Sequence, residues 1–176
     1  MRLRLKIEGV DFQLKIGYWK PHNPKISYDD EWCRVELYMS SYYLNTHNDG
    51  ELLECGEVTW LRDQLSALLD GTLKEDKMLS FIEPDFEFEL SVAKRLYSEP
   101  GVVWYKDGYY DEPLSAKFVI TFWTPDGLLG TNQFKLSLKE SDISAMLSYL
   151  RYVTREIEVD SEEIQNLLKS GQILPE

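Results

Sequence analysis

The sequence predicts an α+β fold with an antiparallel sheet of about six to eight strands, two main helices packed on one face and a short C-terminal helix. Many segments alternate polar and apolar residues, the period of a half-buried strand. Short turns between them favour antiparallel pairing. Two runs of strands each lead into a segment with apolar residues at helical spacing. Because the 176 residues contain no low-complexity linker, we expect a single α+β domain over residues 1–176, with residues 158–176 as a helical tail.

Alternation predicts the first strands. Arg2–Glu8 and Phe12–Tyr18 each place apolar side chains at every second position, and a tight connection between them favours a hairpin. Trp32–Met39 is predicted as the next strand. Asn45–Gly50 has the composition of a turn, and Glu51–Val58 is predicted as the strand that follows it.

The first helix is predicted over Trp60–Asp70. Its apolar face is formed by Leu61, Leu65, Leu68 and Leu69. Thr59 is predicted to cap its N-terminus through the side-chain hydroxyl, because the first-turn N–H groups have no partner within the helix. Gly71 fits the left-handed position that follows a helix end.

The stretch Leu79–Leu90 contains the clearest strand of the second half. Successive side chains of a strand point to opposite faces, so one face carries apolar residues and the other carries carboxylates. The apolar residues are Phe86, Phe88 and Leu90, and the acidic row is Asp85, Glu87 and Glu89. We expect the apolar face to be core.

Further strands are predicted at Val102–Lys106, Ser115–Trp123 and Asn132–Leu138, with turns at Asp107–Gly108 and Pro125–Gly127.

A second helix is predicted to start at Ser141 as its cap, with Glu140 and Asp142 beside the positive end of the helix dipole. Its apolar stripe extends to Ile157. A third, shorter helix is predicted after Ser161 and before Gly171.

The chain carries 31 acidic and 19 basic residues, a formal net charge of −12. This balance repels nucleic-acid phosphates and anionic membranes and favours cationic partners, so we expect neither a nucleic acid nor a membrane as partner. Ordinary solubility explains the same balance. The N-terminus lacks the apolar run of a signal peptide and no segment is long enough to span a bilayer, which predicts a cytoplasmic protein. Cys33 and Cys55 form no CxxC pair and are interpreted as two buried thiols.

No motif for catalysis, phosphate binding or metal binding is present. His22 and His47 are the only histidines, and both are predicted to lie in polar loops. We therefore predict no enzymatic activity, no catalytic residue, no metal and no cofactor.

Two segments are candidates for contact with a partner. One is the row Asp85, Glu87 and Glu89, which is either a surface for a basic partner or a solvated face countered by Lys or Arg on a neighbouring strand. The other is the acidic, tyrosine-rich run Tyr109, Tyr110, Asp111 and Glu112, which follows Trp104 and Tyr105. Tyrosine and tryptophan are favoured in interfaces, but this group also fits a core tryptophan with a polar edge.

Four short motifs occur in an order that resembles the WapI-family immunity proteins and related small bacterial proteins. They are Asp30–Glu31–Trp32, then Glu57–Val58–Thr59–Trp60–Leu61, then Leu68–Leu69–Asp70–Gly71, then Phe81–Ile82–Glu83–Pro84. The resemblance covers about Met1 to Ile157. It implies a protein that binds and blocks the toxic domain of a cognate contact-dependent toxin. Its motifs imply structural roles, with Thr59 as a helix cap and Glu83–Pro84 as a strand entry, and transfer no binding site.

The leading hypothesis is therefore a non-enzymatic immunity-type protein that neutralises a cognate, basic toxin domain. The alternative is a small-molecule-binding or regulatory domain with an aromatic pocket. The sequence does not define an oligomeric state.

Overall fold

The computed structural model describes residues 1–17, 31–83, 85–94, 112–122 and 132–175. Over these ranges the chain forms nine strands and three helices. In chain order they are β1 Arg2–Ile7, β2 Val10–Gly17, β3 Trp32–Ser40, β4 Asn45–Glu54, α1 Cys55–Leu69, β5 Lys77–Ser80, β6 Phe86–Ser91, β7 Ser115–Phe122, β8 Asn132–Lys139, α2 Glu140–Val153, α3 Glu162–Ser170 and β9 Ile173–Leu174. The α+β class is confirmed.

The strands form two antiparallel sheets, which corrects the prediction of one sheet with six to eight strands. The five-stranded sheet has the order β4-β3-β2-β1-β9, and the four-stranded sheet has the order β5-β6-β7-β8. Each sheet has an apolar face, and the two faces share one core. Phe12 on β2 packs edge-to-face against Phe118 on β7, with ring centroids 5.3 Å apart. One apolar face thus covers the other, which alternation within single strands does not predict.

The helices do not form the predicted layer on one face of a single sheet. Helix α2 contacts β1 of the five-stranded sheet and β7 and β8 of the four-stranded sheet, while α1 contacts β4 and α2. Tyr149 of α2 is fully buried, and its hydroxyl accepts the backbone N–H of Ile16 at 2.9 Å. Ile16 lies beyond the last β1–β2 pair, Leu3 with Leu14. The tyrosine therefore supplies a hydrogen-bond partner where β2 extends past the first residue of β1.

The N-terminal hairpin is confirmed. Strands β1 and β2 pair in antiparallel register, with Leu5 opposite Phe12. Glu8 and Gly9 connect them with φ of 50° and 84°, the left-handed values that a two-residue turn requires. Ile173 of β9 pairs with Leu3, so the end of the chain joins the same sheet.

The segment predicted as a turn and the start of the first helix are both corrected. Asn45–Gly50 belongs to β4, because its residues pair with β3 from Ser40 onward, and a long ladder overrides turn-prone composition. Helix α1 begins at Cys55, and Glu54 occupies the N-cap position. Thr59 therefore lies inside the helix, where its hydroxyl donates to the Cys55 carbonyl at 3.2 Å. Gly71 has φ of +74°, as predicted for a helix end.

Helix α2 begins at Glu140 with Lys139 as N-cap, not at Ser141. A carboxylate oxygen of Asp142 accepts the Lys139 N–H at 3.2 Å, so the side chain of the third helical residue bonds the N-cap backbone. The helix ends at Val153, short of Ile157.

The reason for this early end is a left-handed residue at Arg155, whose φ is 61°. Helix α3 is confirmed between its N-cap Ser161 and its C-cap Gly171.

The other strands agree with prediction where the structure describes them. Ser115–Phe122 and Asn132–Lys139 are β7 and β8. The predicted strand Val102–Lys106 and the turns Asp107–Gly108 and Pro125–Gly127 lie outside the described residues. None of the helices in the described ranges has the length and hydropathy to span a bilayer.

Candidate partner-binding surface

Strand β6 has the two faces that the alternation predicts. Phe86, Phe88 and Leu90 are buried, with at most 2% of their surface exposed. Phe88 lies opposite Phe118 of β7, and their ring centroids are 4.7 Å apart. Glu87 and Glu89 are half-buried on the opposite face. The core assignment of this strand is confirmed.

Glu89 is held between two lysines of neighbouring strands. Its carboxylate accepts from Lys135 Nζ at 2.8 Å and lies 3.4 Å from Lys117 Nζ. The hydrogen bond from Lys135 is the main reason that the pKa of Glu89 lies below its ordinary value, and Lys117 adds to it. The negative charge of Glu89 is thus compensated within the sheet, as one of the two interpretations of the acidic row anticipated.

Glu87 has a different environment. It accepts the hydroxyl hydrogen of Ser80 at 2.7 Å and makes no ion pair with any described residue. Its cross-strand neighbour on β7 is Val119, an apolar residue with 2% exposure. Glu87 is therefore the member of the row whose charge is least compensated by its own sheet.

Asp85 lies at the start of β6, outside the strand itself. It precedes β6, and its carbonyl accepts the backbone N–H of Thr121 at 2.8 Å. Together with β3, β4 and β7 it lines a cleft of about 340 Å³ between the two sheets. The residues of this inter-sheet cleft are Leu37, Met39, Thr46, His47, Asn48, Asp85, Ile120 and Thr121.

The second predicted segment is only partly described. Glu112 is exposed, and its backbone exchanges two hydrogen bonds with Lys94, at 2.9 and 3.1 Å. Lys94 in turn forms an ion pair with Asp76. Tyr109, Tyr110 and Asp111 lie outside the described residues, as do Trp104 and Tyr105 of the predicted aromatic group.

Two exposed tyrosines were missed by the sequence analysis. Tyr42 and Tyr43 form the tip of the β3–β4 hairpin and have 92% and 93% of their surface exposed. Their rings meet edge-to-face with centroids 4.7 Å apart. The signal was available in the run Ser41–Leu44, since two adjacent aromatic residues in a short connection cannot both face the core.

The outer face of the five-stranded sheet is charged but internally balanced. Glu36 lies between Arg2 at 2.9 Å and Lys15 at 3.6 Å. Arg4 pairs with Asp11, and Arg34 pairs with Asp49. This face therefore offers little uncompensated charge to a partner.

His47 lies on this balanced face and not in a polar loop, because it belongs to β4. The His47 ring stacks on the Tyr38 ring with centroids 4.0 Å apart. The guanidinium carbon of Arg2 lies 4.4 Å from the centroid of the Tyr38 ring. Among the described residues no group of three or more His, Cys, Asp or Glu side chains is arranged to hold a metal ion.

Exposed aromatic rings such as those of Tyr42 and Tyr43 are typical of a protein-binding surface. The comparison with known families gives this observation a context. A model of the immunity protein WapI-like family matches residues 2–158, which is most of the chain. The chain belongs to this family, and the resemblance drawn from its four motifs is confirmed. No curated protein matches the chain.

Membership of this family indicates a role in toxin immunity, with a protein toxin as partner. The match ends before α3, yet β9 returns to pair with β1 of the matched region. The C-terminal segment is therefore joined to the family domain by a sheet contact.

Proposed function

We propose that this protein binds the toxic domain of a cognate toxin and blocks it by occupying its surface, without chemistry of its own. The single observation that carries the proposal is the family match over residues 2–158. We propose that the protein acts in the cytoplasm, where it would meet a toxin domain that has entered the cell.

We further propose that the toxin domain is basic. The net charge of −12 favours a cationic partner and accelerates encounter with it. A domain that acts on nucleic acid carries positive charge to bind phosphates, so the immunity protein and the substrate compete for the same kind of surface.

The acidic row and the tyrosine-rich run are the proposed contacts. Glu87 and Glu112 support this assignment best among the described members, because Glu112 is exposed and Glu87 has no ion-pair partner in the described chain. Glu89 contributes less charge, since two lysines compensate it. Asp85 enters the contact at the mouth of the inter-sheet cleft.

The experiment combines protection and binding. Candidate toxin domains are taken from the genes that neighbour this one. Each is expressed under tight control with and without this protein, and the purified pair is titrated by calorimetry. We expect restored growth and a 1:1 complex tighter than about 1 μM, which corresponds to about −8 kcal/mol. An unrelated folded protein of similar size and charge is the control, so that charge alone does not explain protection.

The same titration separates blocking from catalysis. A blocking protein stops toxin activity when one equivalent has been added, and the mass of the toxin stays unchanged. Inactivation by a small fraction of an equivalent would show an enzyme and contradict the proposal. Full toxicity in the presence of folded, equimolar protein would contradict the immunity role itself.

A further inference from the structure

We infer that the β3–β4 hairpin is the anchor of the toxin interface, with Tyr42 and Tyr43 as its central contacts and the inter-sheet cleft as a seat for a basic side chain of the toxin. This inference deepens the proposed function and rests on it. It names the surface, and it adds two tyrosines to the acidic contacts proposed above.

The tip of the hairpin carries two unusually exposed aromatic rings. Among the large apolar and aromatic side chains that the structure describes, Tyr42 and Tyr43 are the two most exposed, at 92% and 93%, followed by Ile82 at 60%. Covering the two rings removes apolar surface from water, and aromatic side chains dominate the energetics of interfaces. A single exposed apolar residue is ordinary, but an adjacent pair at a hairpin tip is a contact patch.

The tip of the hairpin is held in place by hydrogen bonds between its two ends. Ser41 donates its backbone N–H to the Leu44 carbonyl at 2.7 Å, and its hydroxyl accepts the Leu44 N–H at 3.2 Å. The Leu44 side chain packs against the core. With both ends of the loop fixed and the rings resting on each other, little conformational freedom remains to be lost on binding.

The inter-sheet cleft begins close to the tip of the hairpin, and its lining suits a basic side chain. Met39 and Thr46 form a cross-strand pair near the tip, and both line the cleft. Its wall is apolar at Leu37 and Ile120 and polar at Asp85. Lysine and arginine combine an apolar stem with a charged head, so they match such a wall.

These features commit the site to one kind of occupant, a segment of a basic toxin domain. The tyrosine rings accept cations over their faces, and the Asp85 carboxylate attracts the same groups. Asp85 lines this cleft together with residues of β3 and β4, so the cleft extends from the strands of the hairpin to the residue before β6.

The test measures the affinity of the purified toxin domain for four variants. Tyr42→Ala combined with Tyr43→Ala is expected to weaken binding at least 100-fold, and Asp85→Asn about tenfold. Tyr42→Phe combined with Tyr43→Phe keeps the rings and is expected to stay within about threefold of the wild type. Val159→Ala, which changes an exposed apolar residue between α2 and α3, is the control and is expected to leave binding unchanged.

The outcomes separate this inference from the proposed function. If the wild type binds and the double alanine variant binds within threefold of it, the hairpin assignment is overturned while the immunity role stands. If the wild type does not bind or protect, the proposed function itself fails. Sedimentation of the protein alone provides a further check: a wild-type dimer that the double alanine variant abolishes would assign the hairpin to a second copy and overturn the inference. Unchanged thermal unfolding of each variant shows that the fold is intact.

Discussion

The carboxylate of Glu57 accepts the backbone N–H of Ile82 at 2.7 Å. Its second oxygen accepts the N–H of Glu54 at 2.9 Å, so one side chain closes the start of α1 and holds the β5–β6 loop. Next to this bond the rings of Trp60 and Phe81 meet edge-to-face with centroids 5.9 Å apart. Two of the motifs that carry the family resemblance, 25 residues apart, are therefore joined in space.

We expect Glu57→Gln to destabilise the fold by about 1–3 kcal/mol, since the amide replaces one acceptor by a donor that faces a backbone N–H. Urea unfolding at neutral pH measures the change. Asp63→Asn is the matched control on the same helix, because Asp63 is exposed and bonds only its neighbour Arg62 among the described residues. A Glu57→Gln midpoint equal to that of the control would contradict the bridging role.

The faces of individual strands were predictable because alternation is a local property. Leu3, Leu5 and Phe12 are buried as the pattern indicates. The division into two sheets was not predictable, since it depends on pairing between distant segments. Ile173 joins the sheet by pairing with Leu3, and nothing in the sequence around either residue indicates the other.

The motif roles inferred from sequence were partly wrong for a similar reason. Thr59 is a residue type that often caps helices, but here Glu54 and Glu57 form the cap. The reason is that β4 pairs with β3 as far as Glu54, so the helix starts directly after it. Of the Glu83–Pro84 motif, Glu83 lies in the loop three residues before β6 begins, and Pro84 lies outside the described residues, so its role as a strand entry stays a prediction.

The acidic residues of β6 show why the charge balance of a surface cannot be predicted from sequence alone. Alternation placed Glu87 and Glu89 on one face, but the lysines that compensate Glu89 come from β7 and β8. Only the register between strands brings Lys117 and Lys135 to it. The exposure of the hairpin tyrosines could have been predicted from the sequence. The inter-sheet cleft could not, because residues of both sheets line it.

We expect the ion pairs of Glu89 to stabilise the fold near neutral pH and to lose this effect in acid. The pKa of Glu89 is lowered in the folded protein, chiefly by the hydrogen bond from Lys135. A lowered folded-state pKa stabilises the fold above the carboxyl's ordinary value, about 4.3, and this contribution is lost as the pH falls through the folded-state value. Both lysines are about half exposed, at 52% and 48%, so the effect is about 1 kcal/mol or less.

Glu89→Gln tests this expectation through urea unfolding at pH 7 and pH 3. The variant should be less stable than the wild type at pH 7, and the gap should narrow at pH 3. Glu87→Gln is the control on the same strand, because its hydrogen bond from Ser80 survives the change. A gap of the same size at both pH values would show that Glu89 acts through packing and not through its charge.

Charge reversal at Glu87 is expected to weaken toxin binding without unfolding the protein. Glu87→Lys removes one attraction to a basic partner and adds one repulsion, together about 1.4 kcal/mol at a half-buried surface position, or about tenfold in affinity. Calorimetric titration at two salt concentrations measures the effect, which should shrink as salt increases. Glu162→Lys on α3 is the matched control, since it changes the net charge equally at an exposed position outside the family match. Equal weakening by both variants would mean that overall charge, not this surface, governs binding.

The two cysteines are expected to be thiols that reagents reach only when the fold opens. Cys33 of β3 and Cys55, the first residue of α1, are both completely buried, and their sulfurs lie 3.3 Å apart without a disulfide. The N–H of Cys55 donates to the Glu31 carbonyl at 2.7 Å, which ties this helix start to the residue before β3.

Ellman's reagent should therefore find no fast-reacting thiol in the native protein and two in urea. Reaction of the native protein at the rate of a small thiol would show that the junction of β3 and α1 opens locally. Fewer than two thiols in urea without reductant would show that the pair is oxidised, and would contradict the reduced state.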